Sequence, residues 1–136
     1  GGTGADALRE SIALAVACER WGYARFWIAE HHNLAGIAST SPEILIGPVA
    51  SATRTIRVGS GGVMLPHYSA FKVAENFRML ETLHPGRIDL GLGRAPGGDQ
   101  RTMFALAHPG RPNDVRSYPE QVDDLIGFLS DELPPG

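Results

Sequence analysis

Apolar residues recur at helical spacing through Leu8, Ile12, Ala15 and Val16, behind a Thr3-x-x-Asp6 capping pattern and ahead of Gly22, which predicts a first helix over about residues 5–21. Arg25-Phe26-Trp27-Ile28-Ala29-Glu30 is aromatic and β-branched, too short for a helix, and predicts a strand over about residues 24–30. Ser41-Pro42-Glu43 opens a second helix reaching about Thr53, in which Pro48 should introduce a kink. A second strand follows at about residues 56–64, then a third helix over about 69–83 with Phe71, Ala74, Phe77, Leu80 and Leu83 on one face. Ile88-Asp89-Leu90-Gly91-Leu92-Gly93 alternates strictly and predicts a third strand. Residues 95–118 are rich in Gly and Pro and read as loop, with one short helical stretch over about 99–107. A last amphipathic helix carries Val122, Leu125, Ile126 and Leu129 and should stop by Pro134-Pro135.

Helices alternating with strands specify βαβ units and a parallel α/β sheet. An open doubly wound sheet wants apolar side chains on both faces, whereas the third strand has Ile88, Leu90 and Leu92 on one face and only Asp89, Gly91 and Gly93 on the other. A (β/α) barrel fits better, with the large residues outward against helices and the small ones facing a ligand-bearing interior. A full (β/α)8 barrel takes about 250 residues, so these 136 hold roughly half.

Composition narrows the partners. Hydrophobic residues at 43% and charged residues at 20% are ordinary for one globular domain, and no apolar run approaches the ~20 residues of a membrane span. Twelve Lys+Arg against fifteen Asp+Glu give a net charge of -3, with single scattered arginines that argue against nucleic acid. The one cysteine, Cys18, cannot form an internal disulfide and reads as a buried thiol of a cytoplasmic protein. The chain lacks an initiator Met and a leader-like segment, and reads as a piece of a longer chain.

In parallel α/β proteins, reactive groups gather at the carboxyl ends of strands. Three such ends are legible. At Glu30-His31-His32-Asn33 the two histidines are adjacent and point oppositely, so no metal site is expected. His31 shares parity with Ala29 and should face the small-residue interior, as a proton donor or as a structural histidine. Val58-Gly59-Ser60-Gly61-Gly62 is a strand stripped of side chains, which suits either a packing notch or a flat ligand pressed on the backbone. Gly93-Arg94-Ala95 sends out an arginine with little to cover it, either a surface residue or a fork for phosphate or carboxylate.

Phe26-Trp27-Ile28-Ala29-Glu30-His31-His32-Asn33, Val58 through Pro66 and Leu83 through Gly97 together closely resemble the bacterial luciferase-like flavin monooxygenases, in order and spacing, over about residues 5–130. The resemblance implies a (β/α)8 (TIM) barrel binding FMN at the carboxyl ends of its strands. This sequence would carry about strands 2 to 4, with the first strand before Gly1 and the fifth to eighth after Gly136. It further implies that Gly61 and Gly62 join through a cis peptide and form the flavin platform, that Arg94 contacts the cofactor, and that His31 serves the oxygen chemistry. Reduced FMN from a separate reductase would react with O2 to oxygenate a small organic substrate. An F420-dependent oxidoreductase of the same fold, or a non-catalytic flavin-binding or truncated barrel, are the alternatives. His67-Tyr68-Ser69-Ala70 departs from the family, which usually has a proline there. Open strand edges predict self-association of the piece alone, or disorder, and a homo-oligomer.

Overall fold

A computed structural model describes residues 2–95, 99–107, 110 and 114–132. The elements run α1 (Gly4–Arg20), β1 (Arg25–Ile28), α2 (Pro42–Ala52), β2 (Arg57–Met64), a 3-10 turn (Leu65–His67), α3 (Ala70–Leu83), β3 (Ile88–Gly93), α4 (Gln100–Leu106), a second 3-10 turn (Val115–Ser117) and α5 (Tyr118–Leu129). Every predicted element is present, and the capping box of α1 forms with Thr3 and Asp6 bonded reciprocally. The second helix is continuous through Pro48. The first strand ends two residues early, because Ser39 accepts the His31 N–H at 3.1 Å and donates its hydroxyl to the Ala29 carbonyl at 2.7 Å. The predicted stop at Pro134-Pro135 lies outside the described residues, and α5 ends at Leu129.

The three strands form one parallel sheet in the order β1-β2-β3. Its outer face carries the core: Ile28, Val58 and Val63 from the strands meet Ile46 and Val49 of α2, Phe77 and Leu80 of α3 and Leu125 of α5. Ile88, Leu90 and Leu92 pack onto this cluster, as their alternation predicts. The buried face of α3 is Ala70, Val73, Ala74, Phe77 and Leu80. Phe71 and Leu83, expected on that face, are 50% and 68% exposed. At 100° per residue Leu83 has rotated off the stripe, while Phe71 lies edge-on against Phe128 of α5 with ring centroids 5.1 Å apart. Cys18 is half-buried rather than enclosed, because α1 packs chiefly on α2 at the margin of the core. No described helix is long and apolar enough to cross a membrane.

The inner face is nearly bare. Arg25 and Trp27 of β1, Arg57 of β2 and Asp89 of β3 occupy its amino-terminal half, and Asp89 joins the strands. Its Oδ2 accepts from Arg25 Nε at 3.1 Å and Trp27 Nε1 at 3.0 Å, its Oδ1 from Arg57 Nε at 2.8 Å. Burial alone would raise the Asp89 pKa, but the bonds from Arg57 and Trp27 and the two arginine charges outweigh it and hold the carboxyl below its ordinary value. Asp89 is therefore a brace between strands. The face above it, toward the carboxyl ends, carries Ala29, Gly61, Gly91 and Gly93, with the Met64 side chain beside Gly93.

Candidate functional site at the carboxyl ends of the strands

Parallel pairing places the three strand ends side by side: Ile28 is level with Ser60, Ser60 with Leu90, and Met64 with Gly93. Between Ser60 and Val63 the register slips, three steps on β2 facing two on β3, and the extra residue falls at Gly61-Gly62, whose peptide bond is cis. The glycines here have distinct reasons. A Cβ on Gly59 would stand 2.2 Å from the Asp89 carbonyl oxygen, on Gly91 2.3 Å from that of Ser60, and on Gly62 2.7 Å from the Leu92 carbonyl carbon. Those three glycines are demanded by the closeness of β2 to β3. Gly61 differs, being exposed, with the Trp27 Cβ 3.1 Å from where its own would stand. The packing notch read from the sequence thus accounts for Gly62, while Gly61 presents open backbone on the inner face.

His31 follows β1 and is half-buried. Its backbone N–H is held by Ser39, and its Nδ1 is buried with no hydrogen-bond partner among the described residues. Arg94 is the first residue after β3 and is exposed, with no ion pair among the described residues. Asn33, in the left-handed region at φ 54, donates to Asp99 Oδ2 at 3.2 Å, and Asp99 caps α4. This bond ties the loop after β1 to the segment after β3.

Sequence reading missed a buried polar group behind these ends. Glu30 and His32 share parity with Ile28 and so turn to the helix side of the sheet, opposite His31. The Glu30 side chain is wholly buried. Its Oε1 lies 2.6 Å from His32 Nε2 and accepts the Tyr68 hydroxyl at 2.6 Å, and its Oε2 accepts the Met64 N–H at 2.9 Å. Burial first, then the bond to Glu30, pushes the Tyr68 phenol well above its ordinary pKa, so it stays a donor. Parity was the signal available for Glu30 and His32. For Tyr68 there was none, beyond its falling where the sequence leaves the family pattern.

A parallel β/α sector with a glycine-lined inner face at the carboxyl ends of its strands defines a barrel protein, and that edge is its candidate site. The chain belongs to the luciferase-like monooxygenase family, whose model matches residues 1–126. It is 55% identical over 128 residues to the uncharacterized protein YceB of Bacillus subtilis, covering 94% of this chain and 38% of that protein. It is 51% identical over 135 residues to the N-acetyl-S-alkylcysteine monooxygenase of the same organism, covering 98% and 40%. The crystal structure of apo-MsnO8 matches all of this chain and 41% of its own at 44% identity with a TM-score of 0.92. Two remoter structures carry the fold alone. They are the oxygenating constituent of the Pseudomonas putida 3,6-diketocamphane monooxygenase in complex with FMN, with 22% identity, 96% of this chain, 35% of that one and TM-score 0.77, and an F420-dependent secondary alcohol dehydrogenase with an F420-acetone adduct, with 17%, 90%, 37% and 0.70. The chain thus spans about two fifths of the length of the curated relatives it matches, and its three parallel strands are a sector of the (β/α)8 barrel.

Proposed function

We propose that the protein is a flavin-dependent monooxygenase that uses reduced FMN and O2 to oxygenate a small organic substrate, with β1, β2 and β3 as the second to fourth barrel strands. The observation that carries this reading is exposed Gly61 on the inner face at the carboxyl edge of the sheet, the same edge at which His31, with its unpartnered buried Nδ1, follows β1 and exposed Arg94 follows β3. A flat ring system can lie against Gly61-Gly62 with no Cβ to lift it. The Arg94 guanidinium suits a phosphate, which it can take through two parallel bonds. An imidazole nitrogen with no protein partner suits a proton held or delivered at Nδ1. Bound reduced FMN supplies the electrons that activate O2, while the protein orients the ring, excludes water and moves the proton.

FMN is preferred to F420 because a relative at 51% identity is named a monooxygenase, whereas the F420-dependent neighbour shares only the fold. A separate flavin reductase would deliver the reduced cofactor. A homo-oligomer would cover apolar surface such as Ile44, Met79 and Leu83, which are 71%, 64% and 68% exposed. Titration of the intact protein with FMN and with F420, followed by O2 uptake with reduced FMN, tests the assignment. Saturable FMN binding is expected, weakened about 10- to 100-fold in Arg94→Ala. His31→Ala should keep FMN binding and slow turnover by about 10²-fold or more. Unchanged turnover in His31→Ala removes the proton role, and preference for F420 with hydride transfer overturns the monooxygenase reading.

A further inference from the structure

A carboxylate as deeply buried as Glu30 costs several kcal/mol unless donors surround it. Here three donors converge from separate segments: His32 two residues along the chain, the Met64 N–H at the end of β2, and the Tyr68 hydroxyl beyond the turn. The Met64 contact lies beyond the last β1–β2 pair, Ile28 with Ser60, so a side-chain oxygen here does the work of a main-chain acceptor that β1 no longer provides. The consequence for His31 is direct. The residue before it and the residue after it are both fixed in this network, and its own N–H is committed to Ser39, so three consecutive residues are immobilised while the ring keeps an uncommitted Nδ1. The same carboxylate anchors Met64, two residues past Gly62. Tyr68 completes the arrangement from the helix side, where it packs on the core and borders a cavity of about 240 Å³ between α2 and α3.

We propose that Tyr68 and Glu30 are positioning residues for the site, setting from behind the sheet both the orientation of the His31 ring and the seat of the glycine strand. The kinetic consequence rests on the flavin reading above; the geometric one does not. Tyr68→Phe in the intact protein removes one oxygen and keeps the ring in its packing. Its melting temperature should fall for the donor lost to Glu30, but with FMN affinity and KM near wild type the variant should lose about tenfold in kcat, the scale expected when a reacting group is displaced by a fraction of an ångström. In flavin-free protein, the ¹⁵N signals of the His31 ring should shift in Tyr68→Phe and shift further in Glu30→Gln. Unmoved His31 signals, or FMN affinity falling in parallel with kcat, would overturn the positioning role. Failure of the wild-type protein to bind FMN would instead sink the flavin reading and leave the histidine spectra to decide the geometry.

Discussion

Alanine substitutions at three glycines separate what holds the sheet together from what faces a ligand. At Gly91 the new methyl carbon would stand 2.3 Å from the Ser60 carbonyl oxygen, and at Gly59 2.2 Å from that of Asp89. Ordinary contact begins at about 3.5 Å, so β2 and β3 must part by roughly 1 Å. Ser60 Oγ donates to the Gly91 carbonyl at 2.9 Å and accepts the Gly91 N–H at 3.1 Å, and neither bond survives such a displacement. Overpacking at about 1–3 kcal/mol, with the two lost bonds at about 1 kcal/mol each, gives about 3–5 kcal/mol for either variant, a large share of the about 5–15 kcal/mol that domains possess.

Gly61→Ala is the contrasting case. Its methyl carbon would sit 3.1 Å from the Trp27 Cβ, a contact relieved by a few tenths of an ångström, and the residue bearing that Cβ is 55% exposed. The lower entropy of the unfolded chain offsets part of the strain, so the net cost should stay below about 1 kcal/mol. The methyl would nevertheless stand on the open inner face, and FMN affinity should fall about tenfold or more, equivalent to about 1.4 kcal/mol. Urea unfolding midpoints at constant slope give the stabilities, and flavin fluorescence gives the affinity. Wild-type stability in Gly91→Ala would refute the strand-spacing argument; wild-type FMN affinity in a folded Gly61→Ala would refute the platform.

Arg87→Ala should destabilise by about 2–4 kcal/mol, because that guanidinium donates to the carbonyls of Ala50, Thr53 and Ile56 and to the Thr53 hydroxyl, tying the end of α2 to the start of β2. Arg87→Lys should recover only a minor part, since an ammonium cannot span the fork, and full recovery in thermal melts would contradict the account. Glu19 accepts the N–H groups of Ile56, Thr55 and Arg54, which lower its pKa from the ordinary 4.5 to about 2. The folded value is the depressed one, so its stabilisation is complete above about pH 4.5 and is lost as pH falls toward 2; Glu19→Gln should flatten the acid limb of a circular-dichroism titration over that window. Asp89→Asn leaves Arg25 and Arg57 facing each other and should cost about 1–2 kcal/mol at neutral pH. Asp89 is likewise depressed, so the difference from wild type should shrink as acid protonates it, and a difference that persists unchanged at pH 2 would count against the charge argument.

The order and type of the elements were legible because periodicity records burial, and β3 shows how far that goes. Large residues on one parity and Asp or Gly on the other already required a sheet with helices on a single face, and Ile88, Leu90 and Leu92 do meet that layer. The same rule at β1 separates His31 from His32, and carried one step further it sends Glu30 with His32 toward the helices, since residues continuing the parity of Ile28 must leave that way. Tyr68 was beyond reach for a different reason: its partner lies 38 residues away, and no local pattern encodes a bond made across a strand and a turn. Phe71 and Leu83 failed for a third reason, because helical spacing gives a stripe but not which residues at its margin the neighbouring helix covers. The glycine strand unites these lessons. Composition alone could not divide its glycines by role, since a residue needed for close backbone approach and one left bare on an open face read identically; only the neighbouring strand, by crowding Gly59 and Gly62 while leaving Gly61 uncovered, tells them apart.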